Sequence, residues 1–207
     1  MTEQDPYNIP HYPLMIVISG PSGVGKDTIA RDLINCAPDS FYFVVTATTR
    51  SPRVGEVHGR DYFFLSMNEF AQMIEANELL EYAIVYNDYK GVPKQQIRDA
   101  FASGRDVVMR VDVQGAATIR KLVPNAIFIY LMAESEEAMV QRLRERRSET
   151  AEDLQLRIAT ARQELKRISE FDYCVVNAHS AQQKAVKQIL SIMEAERCKV
   201  GQTPVML

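Results

Sequence analysis

The run Gly20-Pro21-Ser22-Gly23-Val24-Gly25-Lys26-Asp27-Thr28 holds the densest chemistry in the chain. Its glycines let backbone N–H groups turn inward on phosphate oxygens. Lys26 adds a point charge for the β- and γ-phosphates of a nucleotide. One position departs from the strict phosphate-loop pattern. Asp27 stands where a Ser or Thr normally follows the lysine and meets Mg²⁺. An acid suits the positive end of a helix but repels phosphate. Asp27 is therefore expected to turn away, leaving Thr28 and water to do part of the metal work.

Two further groups belong with a phosphate chemistry. Thr46 to Phe64 carries Arg50 and Arg53 three apart in a turn-rich context, hydroxyls beside them and Tyr62 nine residues on. Two guanidinium forks and a phenol suit a phosphate monoester, although a solvated basic loop has the same composition. Asp112 closes an apolar run and precedes Gly115. That is where a Mg²⁺-associated carboxylate sits in phosphate-loop enzymes, and also where a helix N-cap sits. Arg142, Arg144, Arg146 and Arg147 crowd one stretch, with Arg157 ten residues later. Arginine clamps stabilise a transferring phosphoryl group, while interleaved acids allow a salt-bridged surface helix.

These residues need elements to hold them. Leu14 to Ile18, Phe43 to Val45, Val107 to Val111, Ile127 to Leu131 and Tyr173 to Val176 are short apolar, β-branched or aromatic runs, the signature of buried parallel strands. Helical patterns separate most of them: a helix to about Cys36, then Lys94 to Ser103, Gly115 to Leu122, Glu136 to Arg147, Ala151 to Ser169 and Ala181 to Lys199. Strands alternating with helices imply an α/β three-layer sandwich around a parallel sheet. The phosphate loop then has the strand before it and the helix after it that its motif requires. Residues 48–88 break the alternation and read as a small mixed insertion. Residues 135–169 are charged and helical and read as a flap.

At this point the sequence resembles the guanylate kinases, the ATP:GMP phosphotransferases of the nucleoside monophosphate kinase group. The matching pieces are Gly20 to Lys26, Thr48 to Phe64, Glu78-Leu79-Leu80-Glu81-Tyr82-Ala83, Val111 to Gly115 and Arg142 to Thr150. They run in family order across about residues 14–198. The resemblance implies ATP on the loop from Gly20 to Thr28, with Asn177 near the adenine, and Mg²⁺ held partly through water by Thr28 and Asp112. It places Thr46, Arg50, Arg53, Tyr62, Glu81, Lys90 and Asp112 around GMP. Arg142, Arg146 and Arg157 match lid arginines that act in catalysis together with Lys26 and Arg50. Glu81 matches the carboxylate that reads guanine, whose N1–H and N2–H donors a carboxylate accepts as a fork. The chain departs from the common pattern at Lys90, which replaces a Tyr, and at Val92, which replaces a hydroxyl residue. With Lys26-Asp27 and Arg110-Val111-Asp112, these departures resemble the plant organellar type and its bacterial relatives.

The resemblance divides the chain into an N-terminal arm (1–13), a core (14–45, 95–136, 170–207), an acceptor insertion (46–94) and a lid (137–169). Two alternatives stand beside GMP phosphorylation: a kinase for another small phosphate such as ribose 1,5-bisphosphate, and a non-catalytic guanylate-kinase-like binding module.

Composition excludes several other classes. The formal net charge of −3 argues against a nucleic-acid binder. Three scattered cysteines, Cys36, Cys174 and Cys198, offer neither a disulfide framework nor a zinc site, and read as buried or incidental thiols. No apolar run approaches a membrane span, and no targeting pattern stands at the N-terminus, so a cytoplasmic monomer or homodimer is expected.

Overall fold

A computed structural model describes residues 11–85, 87–145 and 151–207. Five strands form an all-parallel sheet: β1 (Met15–Ser19), β2 (Phe41–Phe43), β7 (Asp106–Arg110), β8 (Ile127–Met132) and β9 (Tyr173–Val176), in the order β2-β7-β1-β8-β9. β1 sits in the middle and is buried along its whole length. Its alternate residues serve two separate cores, as the two-residue period of a strand dictates. Ile16 and Ile18 pack with α1 (Lys26–Cys36) and α7 (Gln182–Arg197) through Ile29, Leu33, Val186 and Ile189. Met15 and Val17 pack with α3 (Lys94–Ala102) and α4 (Val113–Leu122) through Ile97, Ala100, Ala116 and Ile119. Helices on both faces explain why the parallel strands are nearly continuous apolar runs.

The second sheet is built from β3 (Ala47–Thr48), β4 (Phe63–Phe64), β5 (Leu79–Val85) and β6 (Asp88–Pro93), in the mixed order β4-β3-β6-β5. Helix α2 (Met67–Glu75) adds a small core of Phe70 under Ala47 and Leu79. A full capping box fixes its start: Ser66 accepts from the Glu69 N–H, and Glu69 accepts from the Ser66 N–H. This is the mixed structure expected between residues 48 and 88. Helices α5 (Glu136–Arg144) and α6 (Ala151–Leu165), then a 3-10 turn over Ile168–Glu170, supply the charged helical stretch.

Most element boundaries differ from the sequence reading by one or two residues, and α5 ends at Arg144, three residues before Arg147. The strand expected at Phe43 to Val45 lies two residues earlier, at Phe41–Phe43. Val44 still donates to Val108 O at 2.9 Å. Val45 is taken out of the sheet by the Gln96 side chain, which bonds both its N–H (2.9 Å) and its C=O (2.7 Å). Helix α6 stops at Leu165, four residues short of Ser169. Cys36, Cys174 and Cys198 are free and exposed rather than buried. Among the described residues no helix is long and apolar enough to cross a membrane.

Candidate active site

One cleft lies at the C-terminal end of the parallel strands, between the phosphate loop, the second sheet and α6. Its walls include Ser22, Gly23, Gly25, Lys26 and Asp27 on one side, Thr46, Arg50, Arg53, Tyr62, Glu81 and Lys90 on the other, and Arg110, Asp112, Arg157 and Glu164 between them. Most of the residues singled out from sequence are thus brought together from elements far apart in the chain. The end of a parallel strand is the ordinary place for a ligand in an open α/β sheet.

The loop follows β1 and turns into α1 at Gly25, whose φ of 89° is left-handed. A Cβ there would also sit 2.5 Å from Asn177 Nδ2. Asn177 is buried, and its Nδ2 donates to Val24 O at 2.8 Å. It therefore braces the loop from behind and does not line the cleft. Arg142 lies behind the loop as well, donating to Glu134 Oε2 (2.7 Å) and to Asn177 O (2.9 Å). Arg157 reaches the loop itself, with Nη1 3.4 Å from Ser22 Oγ. Arg146 lies outside the described residues. Lys26 Nζ donates to Gly20 O (2.5 Å) and Pro21 O (2.9 Å), two carbonyls of its own loop. Burial pulls its pKa down to about 8, against the opposing pull of Glu164 and Asp27.

Asp27 and Thr28 reverse the expectation drawn for them. Asp27 does not turn away; it lines the cleft and forms an ion pair with Arg110. Thr28 is exposed on α1 and does not line the cleft. Successive helical residues point about 100° apart, so a helix that aims Asp27 at the cleft aims Thr28 elsewhere.

On the acceptor side Arg50 is pre-organised. Its Nη2 donates to both Glu56 oxygens, at 3.0 and 2.9 Å, and its guanidinium lies 5.4 Å from the Tyr62 ring centroid. Glu56 Oε2 also accepts from the Arg53 N–H at 2.7 Å, tying the two arginines to one carboxylate. Glu81, on β5, is 6% exposed and its Oε2 has no hydrogen-bond partner among the described residues. Burial, reinforced by the neighbouring Asp112, raises its pKa to about 8, with Lys90 pulling the other way. Lys90 is pushed down from its ordinary value, chiefly by its own burial. Val92, two residues further along β6, is fully buried in the core and away from the cleft. Asp112 takes the helix-cap place that its position allows. It caps α4, accepting from the Gln114 and Gly115 N–H groups at 2.9 Å each, and it lines the cleft.

Three site residues escaped the sequence reading. Arg110 had a visible signal, since it is a charge inside the apolar run Val107 to Val111. Glu56 lies within the Thr46 to Phe64 segment but reads there as one more surface acid. Glu164 had no signal, being one acid among many on a charged helix. Its carboxyl enters the cleft from α6, where burial raises its pKa against the pull of Lys26.

The chain matches the family model described as guanylate kinase over residues 12–196. It is 55% identical over 197 residues to "Guanylate kinase 2, chloroplastic/mitochondrial" of Oryza sativa subsp. japonica, covering 95% of this chain and 69% of that one. It is 41% identical over 187 residues to the guanylate kinase of Clostridium tetani (strain Massachusetts / E88), covering 90% and 88%. The crystal structure of guanylate kinase from Anaplasma phagocytophilum superposes with a TM-score of 0.75 at 27% identity, covering 93% and 90%. A phosphate loop facing an arginine-rich acceptor wall across one cleft, and relatives of this identity over nearly the whole length, lead to one conclusion: the chain belongs to the guanylate kinase family.

Proposed function

We propose that this chain transfers the terminal phosphoryl group of ATP to GMP, giving ADP and GDP. The observation that carries the reading is Glu81. A buried carboxylate oxygen without a partner, in a cleft wall, needs a ligand that donates hydrogen bonds. Guanine presents N1–H and N2–H side by side and satisfies both oxygens. Adenine would set a lone pair against the carboxylate, and a mismatch of that kind discriminates by about 10⁴ or more. A sugar bisphosphate offers hydroxyl donors but lacks two N–H groups fixed side by side.

In this reading ATP lies along Ser22 to Lys26, and the GMP phosphate is held by Arg50, Arg53 and Tyr62. A GMP phosphate oxygen attacks the γ-phosphorus in line, and the bond to the β–γ bridging oxygen breaks as ADP leaves. No general base is required, because the attacking oxygen is already anionic. Catalysis consists of positioning and charge neutralisation by Lys26, Arg50 and Arg157. Lys90 adds a cation on the acceptor side. Residues 137–169 act as the lid that excludes water, and residues 46–94 as the acceptor unit. Mg²⁺ fits the donor set, since Asp112 and Asp27 present carboxylate oxygens to the cleft. Bound there with water, it would neutralise phosphate charge.

The test is ADP release with ATP and Mg²⁺ against GMP, dGMP, IMP, AMP, UMP and ribose 1,5-bisphosphate, one at a time, with Lys26→Ala as the blank. GMP should exceed AMP by orders of magnitude. Equal rates on GMP and AMP would refute the role given to Glu81.

A further inference from the structure

Asp27 and Arg110 each break the rule of the element they occupy. Asp27 is an acid on a phosphate loop. Arg110 is a cation at the end of a fully buried strand, directly after the apolar run Val107-Val108-Met109. The two meet: Arg110 Nε is ion-paired with Asp27 Oδ1, the arginine side chain 7% exposed and the aspartate 54%. The same guanidinium turns to the acceptor wall. Its Nη2 donates to Asp61 O at 2.8 Å. Its Cζ lies 4.6 Å from the Tyr62 ring centroid and 5.0 Å from that of Phe43. One cation fixed to the central sheet therefore touches the first turn of the donor helix and the segment that carries Tyr62.

We propose that Arg110 is a positioning residue for phosphoryl transfer with two separable tasks: it cancels the charge of Asp27 beside the donor phosphates, and it seats Tyr62 for the acceptor phosphate. This rests on the reading of the cleft as an ATP and GMP site. Both tasks follow from the contacts. Asp27 adjoins Lys26 and lines the cleft, so without a counter-ion it would face a polyphosphate as a bare like charge. Tyr62 has Arg110 against its ring, so the phenol direction depends on that guanidinium. An arginine suits the place better than a lysine. Only a planar fork can pair with a carboxylate, donate to a carbonyl and lie over aromatic rings at once.

The two tasks separate in a double-mutant cycle. Dissociation constants for ADP and for GMP, each without metal, are measured by calorimetry on the wild type, Arg110→Met, Asp27→Asn and the double variant. Arg110→Met should weaken ADP by about tenfold or more, as expected for an unpaired like charge near the phosphates. Asp27→Asn alone should tighten ADP, because it removes an anion and leaves the cation. The double variant should return ADP to within about threefold of wild type while GMP stays about tenfold weak, since Tyr62 still lacks its support. A general loss of structure would not restore one ligand and spare the defect in the other. The proposal is overturned if Arg110→Met leaves ADP binding intact, if the double variant fails to restore it, or if GMP recovers together with ADP. Should thermal melting show Arg110→Met unfolded, Arg110→Lys answers the same question. It keeps the charge and loses the fork, so GMP should weaken and ADP should not; lost ADP binding overturns the proposal. A wild type with no affinity for ADP would bring down the donor-site reading itself, a result distinct from any of these.

Discussion

GMP binding should release a proton from Glu81, and the affinity should therefore rise with pH. The unliganded carboxyl is buried among Gly115, Asp112 and the strand backbone, and its pKa stands at about 8 instead of 4.5. At about 1.4 kcal/mol for each tenfold, this disfavours the charged form by about 5 kcal/mol in the empty site. Guanine needs the charged form, because a protonated carboxyl has one acceptor fewer for two donors. Two N–H bonds to the carboxylate lower its pKa in the complex. The sign follows. Below pH 8 the free site is protonated, and binding expels the proton. Apparent GMP affinity should climb by nearly tenfold per pH unit up to about 8 and then level off. At pH 7 about nine-tenths of the free sites carry the proton, so affinity is about tenfold below its plateau. The assay is calorimetric titration of GMP at pH 6.5 to 8.5, in two buffers of different ionisation enthalpy, which counts protons directly. The phosphate of GMP titrates near pH 6, so Glu81→Gln serves as the reference carrying only that contribution. The wild type should release close to one proton more than Glu81→Gln at pH 7. Equal proton release, or a GMP affinity flat across this range after the same subtraction, would refute the reasoning.

Three further outcomes test the rest of the site. Lys26→Met should lower kcat by about 10²–10³ in the coupled assay, because it removes the cation that the loop itself carries to the transferring phosphoryl group; a loss under tenfold would remove Lys26 from the chemistry. Gly115→Ala puts a methyl 3.0–3.1 Å from the Glu81 carboxylate atoms. GMP affinity should fall by about tenfold with ADP affinity unchanged, a displaced buried polar contact costing about 1–3 kcal/mol; retained GMP binding would mean that the carboxylate is not held where guanine needs it. Asn177→Ala removes the bond to Val24 O and leaves a buried carbonyl unpaired. Stability should drop by about 1–3 kcal/mol in urea unfolding. ADP affinity should drop with it, and an unchanged melting curve would contradict the bracing role.

The core was legible because buried parallel strands write themselves as apolar runs. Tyr173 to Val176 has the same bounds in sequence and structure, and the runs at Val107 and Ile127 are displaced by a residue at most. The error at Val44 and Val45 came from an interaction that periodicity cannot carry. Gln96, some 50 residues away, takes both backbone groups of Val45 and ends the strand before the apolar run ends. Strand length here is set by a distant side chain competing for the same donors and acceptors.

The site shows a sharper division. Residues whose roles depend on type and local spacing, such as Lys26 in its loop or Arg50 and Arg53 three apart, could be found without a fold. Residues whose roles depend on a partner could not. Asp27 alone reads as a repulsive flaw in a phosphate loop, and the reasonable local inference is that it turns outward. Arg110 alone reads as a charge that a buried strand should not contain. Each is destabilising by the rules of its own element, and the two costs offset one another only because parallel pairing of β1 with β7 brings the end of one strand beside the loop that follows the other. Two violations of local rules, at positions 27 and 110, are what a functional pair looks like before the sheet joins it. At Asp112 a strand end is followed at once by a helix, so one carboxylate caps that helix with two N–H bonds to Oδ1 and also lines the cleft.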